Sequence, residues 1–237
     1  MGTVRSASPL RTILRAVVVP ALLLGWSVAV GPAAHADQRA GQQSAVAVRG
    51  GDTLYSAGTR CTVGFNARSG STQYALVPGR CAQGTSTWYA DPALTVVVGV
   101  TAGVSFPGND YASVRYTNTA VAYPGEISLG AGAGTRDITN AANPFVGQSV
   151  CHVGRTTGYR CGVVQAVNVT INYGGGTVHG LFRSSICSEP GDAGGPAFSG
   201  STALGIIVGS SGNCSSGGFT YYQPVVEWLS AYGLSVY

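Results

Sequence analysis

Hydrophobic and polar positions divide the chain into three regimes. From Ala16 to Val30 nearly every residue is apolar, behind a basic start carrying Arg5, Arg11 and Arg15, and Ala34-His35-Ala36 stands just before Asp37. The run is shorter than the ~20 residues a membrane-spanning helix requires, and Pro20 interrupts it. This is the pattern of a signal peptide over residues 1–36, cleaved after Ala36. Residues 37–47 are polar, Gln-rich and without period, as in a short disordered leader. From Val48 onward, short β-prone runs alternate with turn residues: Cys61 to Asn66, Gln73 to Val77, Leu94 to Val100, Tyr111 to Tyr116, Gly162 to Tyr173, Thr177 to Arg183 and Ala203 to Val208. Glycines between the runs supply the turns, and many short strands with frequent turn signals predict an all-β sandwich or barrel. A helix is predicted to open at Pro224, to carry Val225, Val226, Trp228 and Leu229 toward a core, and to end at Gly233. The Gly/Ala-rich stretch from Pro124 to Pro144 has neither period and reads as a connection between one β unit at about 48–123 and another at about 145–237.

Export changes how the cysteines are read. Cys61, Cys81, Cys151, Cys161, Cys187 and Cys214 all lie beyond the cleavage site, and an even count in an oxidising compartment predicts three disulfides. A metal cluster would need paired Cys or His at short spacing. The one such candidate, Cys151 and His152, are adjacent, so neither a metal nor another cofactor is expected. Cleavage removes three of the thirteen basic residues and none of the nine acids, leaving a nearly neutral domain. That gives no support to nucleic-acid binding. No later segment could span a bilayer, so a secreted, extracellular monomer without a membrane partner is expected.

The chemistry-bearing residues begin with Gly191-Asp192-Ala193-Gly194-Gly195-Pro196, preceded by Cys187-Ser188-Glu189-Pro190. This segment resembles the nucleophile turn of chymotrypsin-like serine peptidases, with Ala193 where the nucleophilic Ser stands. Leu76-Val77-Pro78-Gly79-Arg80-Cys81 resembles the segment of the catalytic His, with Arg80 in its place, and Asn109-Asp110-Tyr111-Ala112 resembles that of the catalytic Asp. Val150 to Gly162, Ser211 to Gly218 and the tail Ala231 to Tyr237 are similar to segments of the streptogrisin and alpha-lytic protease group. The resemblance runs from Val48 to the C-terminus. It implies two antiparallel six-stranded β-barrels with the site in the cleft between them, a short C-terminal helix, and disulfides Cys61–Cys81, Cys151–Cys161 and Cys187–Cys214. It also leads one to expect a long folding-assisting pro-segment. Only residues 37–47 are present for one, so the domain is expected to fold without it.

Triad catalysis requires a hydroxyl whose proton passes to a neutral imidazole oriented by a carboxylate. Of the three, only Asp110 is retained. Ala193 has no atom that can attack a carbonyl, and a guanidinium such as Arg80 stays protonated and offers no acceptor. The remaining histidines of the mature chain, His152 and His179, match second-barrel positions away from the base. The resemblance further implies an oxyanion turn at Gly191 and Ala193 and a groove strand at Val208, Gly209 and Ser210. Val208 replaces a Ser that supports the catalytic Asp, and His152 replaces an Arg that holds Asp192. A His152–Asp192 pair would be charge-assisted only while the imidazole is protonated, so the oxyanion turn is expected to keep its shape at mildly acidic pH and to loosen above neutrality. Arg80 either neutralises Asp110 or clamps an anion. Phe219, Tyr221 and Tyr222 either line an apolar pocket or belong to the core.

Three functions remain open on the sequence. The first is a secreted, non-catalytic protein whose groove holds a peptide segment or a proteinaceous protease inhibitor. The second is a weak or altered serine endopeptidase-type hydrolase. The third is a surface-adhesive domain in which the groove plays no part.

Overall fold

The structure, a computed structural model, describes residues 46–237. The predicted signal peptide and most of the predicted leader lie outside the described residues. The last two leader positions are not loose: Ala47 bridges Ala122, and the Ala122 N–H donates to Val46 O at 2.9 Å. Backbone pairing of this kind leaves no trace in side-chain pattern, which is why the sequence placed disorder up to residue 47.

The first half contains β1 (Thr53–Ser56), β2 (Thr59–Thr62), β3 (Asn66–Ser69), β4 (Thr72–Val77), a one-turn helix α1 (Gly79–Ala82), β5 (Thr87–Tyr89), β6 (Val97–Ser105) and β7 (Tyr111–Tyr116). The strands follow the order β2-β1-β5-β6-β7-β4-β3. Arms β2 and β3 belong to one bent stretch. The Val63 N–H still donates to Asp52 O at 2.8 Å, whereas the next N–H, of Gly64, donates to Leu76 O at 2.7 Å. The chain thus changes partner from the β1 side to β4 at this corner and closes the sheet, so seven segments make a six-stranded barrel. Leu54, Val63, Val77, Trp88, Val98 and Val114 fill it.

A hairpin of β8 (Glu126–Ser128) and β9 (Thr135–Asp137) follows, then β10 (Asn140–Ala141), in the stretch expected to be a bare connection. Its Gly-rich turn masks the pattern, yet Ile127 and Ile138 are buried in the core between the barrels. The second barrel comprises β11 (Ser149–Gly154), β12 (Gly158–Tyr173), β13 (Gly176–Ser184), β14 (Pro196–Ser199), β15 (Thr202–Asn213) and β16 (Gly217–Pro224). The order β15-β14-β11-β12-β13-β16 is closed by β16 pairing back to β15, and β10 adds an outer parallel segment. The six cysteines form the three disulfides that the resemblance implied.

The terminal helix α2 (Val225–Tyr232) has Pro224 at its N-cap and Gly233, with φ 61°, at its C-cap. Val225, Trp228 and Leu229 are buried, while Val226 is only partly so. The Trp228 indole N–H donates to Ser113 Oγ of β7 at 2.7 Å, tying this helix to the first barrel. That contact explains why β7 is buried on both faces: Ala112 and Val114 face the barrel interior, while Tyr111 and Ser113 face the central core and the helix. The barrels meet closely at Gly64. A Cβ there would lie 2.2 Å from Ile206 Cγ2 and 3.3 Å from Gly194 O, so the missing side chain lets the Gly194 turn approach the first barrel.

Candidate active-site cleft

Arg80 is placed by α1, a helix the sequence pattern did not announce. Its first residue, Gly79, packs so closely that a Cβ would lie 2.7 Å from Ser105 O and 3.0 Å from Tyr111 N. This seats Arg80 directly over Asp110, whose side chain is fully buried. The Arg80 backbone N–H donates to Asp110 Oδ1 at 2.9 Å and its Nε–H to Oδ2 at 2.7 Å. The same guanidinium donates through Nη2 to Val208 O, and its Cζ sits 3.9 Å from the Tyr173 ring centroid. Such stacking of a guanidinium on an aromatic face is favourable where water is scarce. From the other side, the Asp110 N–H donates to Gln223 Oε1 at 2.9 Å, and Gln223 in turn donates to Glu227 Oε2 at 2.9 Å.

Burial raises the Asp110 carboxyl above the ordinary carboxylate value, and the Arg80 N–H and guanidinium charge pull it partly back. Burial wins, so the ion at Asp110 is tolerated rather than favoured, and Arg80 is what makes it tolerable. Neutralisation of Asp110 is therefore the reading of Arg80 that the geometry carries. Tyr173, at the end of β12, was not singled out by the sequence. Burial raises its hydroxyl to about 12, and as a neutral phenol it also donates to Val208 O at 3.3 Å.

The turn expected to carry the oxyanion donors has the backbone its glycines permit. Gly191 has φ +102° and Gly194 φ +92°, both in the region where a side chain is strained. Gly194 N–H donates to Ile207 O at 2.7 Å and Gly195 N–H to Asp192 O at 3.0 Å. Among the described residues neither Gly191 N–H nor Ala193 N–H donates to a protein acceptor. Ala193 is exposed in the cleft.

The expected His152–Asp192 pair does not form. Asp192 is buried with four donors of its own: Thr156 N–H at 2.7 Å and Thr157 N–H at 3.1 Å to Oδ1, and Thr157 Oγ1 at 2.7 Å and Glu189 N–H at 2.9 Å to Oδ2. A carboxylate so supplied needs no imidazole. His152 instead bonds the Tyr222 hydroxyl through Nδ1 at 2.8 Å, and its Nε2 is buried without a partner. Burial pushes His152 down to about 4, against the weaker opposing pull of Asp192. Near neutral pH it is an uncharged core residue bonded to Tyr222, and the expected loosening of the turn above neutrality has no basis. His179 lies exposed, its Nδ1 3.2 Å from Thr170 Oγ1.

The strand expected to line the groove is partly covered. The Val208 side chain is buried in the central core and its carbonyl is taken by Arg80 and Tyr173. A Cβ on Gly209 would lie 2.8 Å from the Tyr173 hydroxyl oxygen, so the phenol lies against this residue. Ser210 alone is exposed, opposite Thr220 of β16. The open three-residue strand edge expected here is capped over its first two residues. Of the aromatic trio, Tyr222 is core, Tyr221 is half-buried, and Phe219 is exposed beneath Arg183 at 4.5 Å.

The cleft beside Ala193 has a volume of about 110 Å³. A larger, open hollow of about 580 Å³ lies around Tyr55, Gly58 and Pro92 and includes none of Arg80, Asp110 or Ala193. Among the described residues no cluster of His, Cys, Asp and Glu could hold a metal ion, and no helix is long and apolar enough to cross a membrane.

The chain is similar in sequence and fold to known proteins. The sequence pattern of the trypsin family matches residues 93–229. Serine protease 2 of Streptomyces fradiae is 49% identical over 176 residues, 73% of this chain and all of that protein. Streptogrisin-A of Streptomyces griseus is 45% identical over 190 residues, 80% of this chain, and the chain spans 61% of that relative's length. Among solved structures, alpha-lytic protease homolog N4 superposes with a TM-score of 0.77 at 60% identity, covering 81% of this chain and 100% of that one.

Proposed function

The chain belongs to the trypsin family of chymotrypsin-like serine proteases, in the streptogrisin and alpha-lytic protease group, and from that premise we propose that it is a non-catalytic member, a peptide- or protein-binding protein on a protease scaffold. One observation carries the proposal. The place of the general base is filled by a guanidinium that is bonded to Asp110 and Val208 and can take no proton, and the place of the nucleophile is a methyl group. What the residues retain is the oxyanion turn, with two unengaged N–H donors, and one exposed groove residue, Ser210. In enzymes of this mechanism, loss of triad groups leaves only about 10³–10⁴-fold acceleration over water from the oxyanion donors and binding.

Three disulfides, which persist in oxidising compartments, favour an extracellular location. The candidate partners are an extended peptide segment or a proteinaceous protease inhibitor, for which the protein would act as a decoy. Strand addition along Val208 and Gly209 requires that Arg80 and Tyr173 first release the Val208 carbonyl.

A second reading, a serine endopeptidase-type hydrolase of weak or altered activity, is favoured by two Streptomyces fradiae relatives, which are named as serine proteases at 46% and 49% identity. A fluorophosphonate probe separates the two when intact mass is measured for the wild type and for the variant carrying Arg80→His with Ala193→Ser. The proposal expects no adduct on the wild type. A stoichiometric adduct on the wild type would support the hydrolase reading. Titration with a proteinaceous protease inhibitor tests the decoy version, which fails if affinity is no better than about millimolar, or ~4 kcal/mol.

A further inference from the structure

We propose that the cleft beside Ala193 is a carboxylate-binding site, occupied by the C-terminal carboxylate of a peptide. This rests on the non-catalytic reading above and names what its retained site would hold. The cleft lies where the Cys61–Cys81 disulfide faces the oxyanion turn, and its wall carries Arg60, Arg155, Gly191 and Ala193. The residues that line it include two arginines and no acid.

Both arginines are exposed and neither makes an ion pair with a described carboxylate. The acids nearest in sequence to the lining are committed elsewhere. Asp52 accepts the Arg49 N–H at 2.7 Å, Asp192 is saturated by Thr156, Thr157 and Glu189, and Glu189 accepts the Cys214 N–H at 2.8 Å.

The second half of the argument is the turn itself. The N–H groups of Gly191 and Ala193 have no protein acceptor, and both residues line the cleft. Backbone donors on a turn with alternating handedness form an anion-binding concavity, and charge-assisted bonds from guanidinium to carboxylate are among the strongest that side chains make. The methyl of Ala193 leaves the room that a nucleophile's oxygen would take. In a catalytic site two arginines here would hold a cleaved carboxylate and slow its release. In a site without turnover the same feature becomes a binding determinant. Arg80 does not take part, because its guanidinium is already bonded to Asp110 and Val208.

The test is calorimetric titration of the purified protein with an acetylated tetra-alanine peptide bearing a free C-terminus, with its C-terminal amide, and with acetate alone, each combined with ¹⁵N chemical-shift mapping. The free-acid peptide should bind about tenfold tighter than the amide, since one charge-assisted contact is worth at least that much. It should also move the Gly191 and Ala193 amides. Arg60→Gln and Arg155→Gln should each weaken binding several-fold, and raising salt should weaken it too. Equal affinity for acid and amide would overturn the proposal. So would unmoved Gly191 and Ala193 amides, or wild-type affinity in the double arginine variant. Acetate binding as tightly as the peptide would overturn the peptide as occupant and leave a site for small carboxylates. These outcomes are independent of the fluorophosphonate result, so either reading can fail alone.

Discussion

Replacing Arg80 by Met removes the guanidinium from Asp110 while keeping most of the side-chain volume. Breaking a buried ion pair from one side costs about 3–5 kcal/mol, because the other charge stays buried and uncompensated. Two features lower that figure here. The Arg80 side chain is 33% exposed, so part of its attraction is screened, and the Arg80 backbone N–H bond to Asp110 Oδ1 survives the substitution. A loss of ~2–3 kcal/mol follows, or ~4–12 °C in Tm for a domain of this size. The pH dependence has a definite sign. Burial already raises the Asp110 carboxyl, and loss of the guanidinium raises it further. A carboxyl whose folded value lies above its unfolded value binds its proton more tightly in the folded state, so stability falls as pH rises through that window. The gap between wild type and variant should therefore be largest at neutral pH and should narrow on acidification toward pH ~4. Pairing Arg80→Met with Asp110→Asn should restore most of the loss. Chemical denaturation at pH 7 and at mildly acidic pH provides the readout. A variant within about 0.5 kcal/mol of wild type at pH 7, or a gap that does not narrow on acidification, would refute the view that Arg80 exists to neutralise Asp110.

His152, held at about 4 in the fold against 6.5 free, takes up its proton more readily when unfolded. Stability should thus be lost as pH falls from ~6.5 toward ~4, by up to ~3 kcal/mol, and in His152→Gln the slope of stability against pH across that window should flatten. Thr157→Val removes a 2.7 Å hydroxyl donor from the Asp192 carboxylate. It should cost ~1.5–3 kcal/mol and shift the amide resonances of Gly191 and Ala193, with unchanged resonances counting against Asp192 as the anchor of the turn. Gly64→Ala forces a Cβ to within 2.2 Å of Ile206 Cγ2. Overpacking at this barrel junction should cost ~1–3 kcal/mol, readable as a lowered Tm, and Ile206→Val in the same chain should recover part of it.

Strands with strong alternation or long β-branched runs were legible. Tyr111–Tyr116 is placed to the residue, and the long runs of the second barrel fall within β12, β13 and β15. The arms β1 and β5 are short, and β11, β14 and β16 sit among glycines, prolines or cysteines, so their pattern is faint and their pairing is fixed only by tertiary closure. Leu94, predicted to begin a strand, adopts φ +56° in a turn held by Asp91. At the site, the residue types at positions 80, 110 and 193 disclosed the missing chemistry. What they could not disclose was partner choice. Asp192 is satisfied by the Thr156–Thr157 backbone rather than by His152, and Tyr173 reaches the groove from the end of another strand. Both are consequences of how loops and strands meet in space, and neither leaves a local signature.

Loss of triad catalysis is tested most directly by the turnover of casein by purified wild-type protein, followed by mass spectrometry of released peptides, with the Arg80→His and Ala193→Ser double variant alongside. The wild type is expected to release no peptide beyond the slow background that oxyanion donors and binding leave once the triad groups are lost. Cleavage by the wild type at a rate comparable with the double variant, or any cleavage blocked by a fluorophosphonate, would contradict the reading of Arg80 and Ala193 given above.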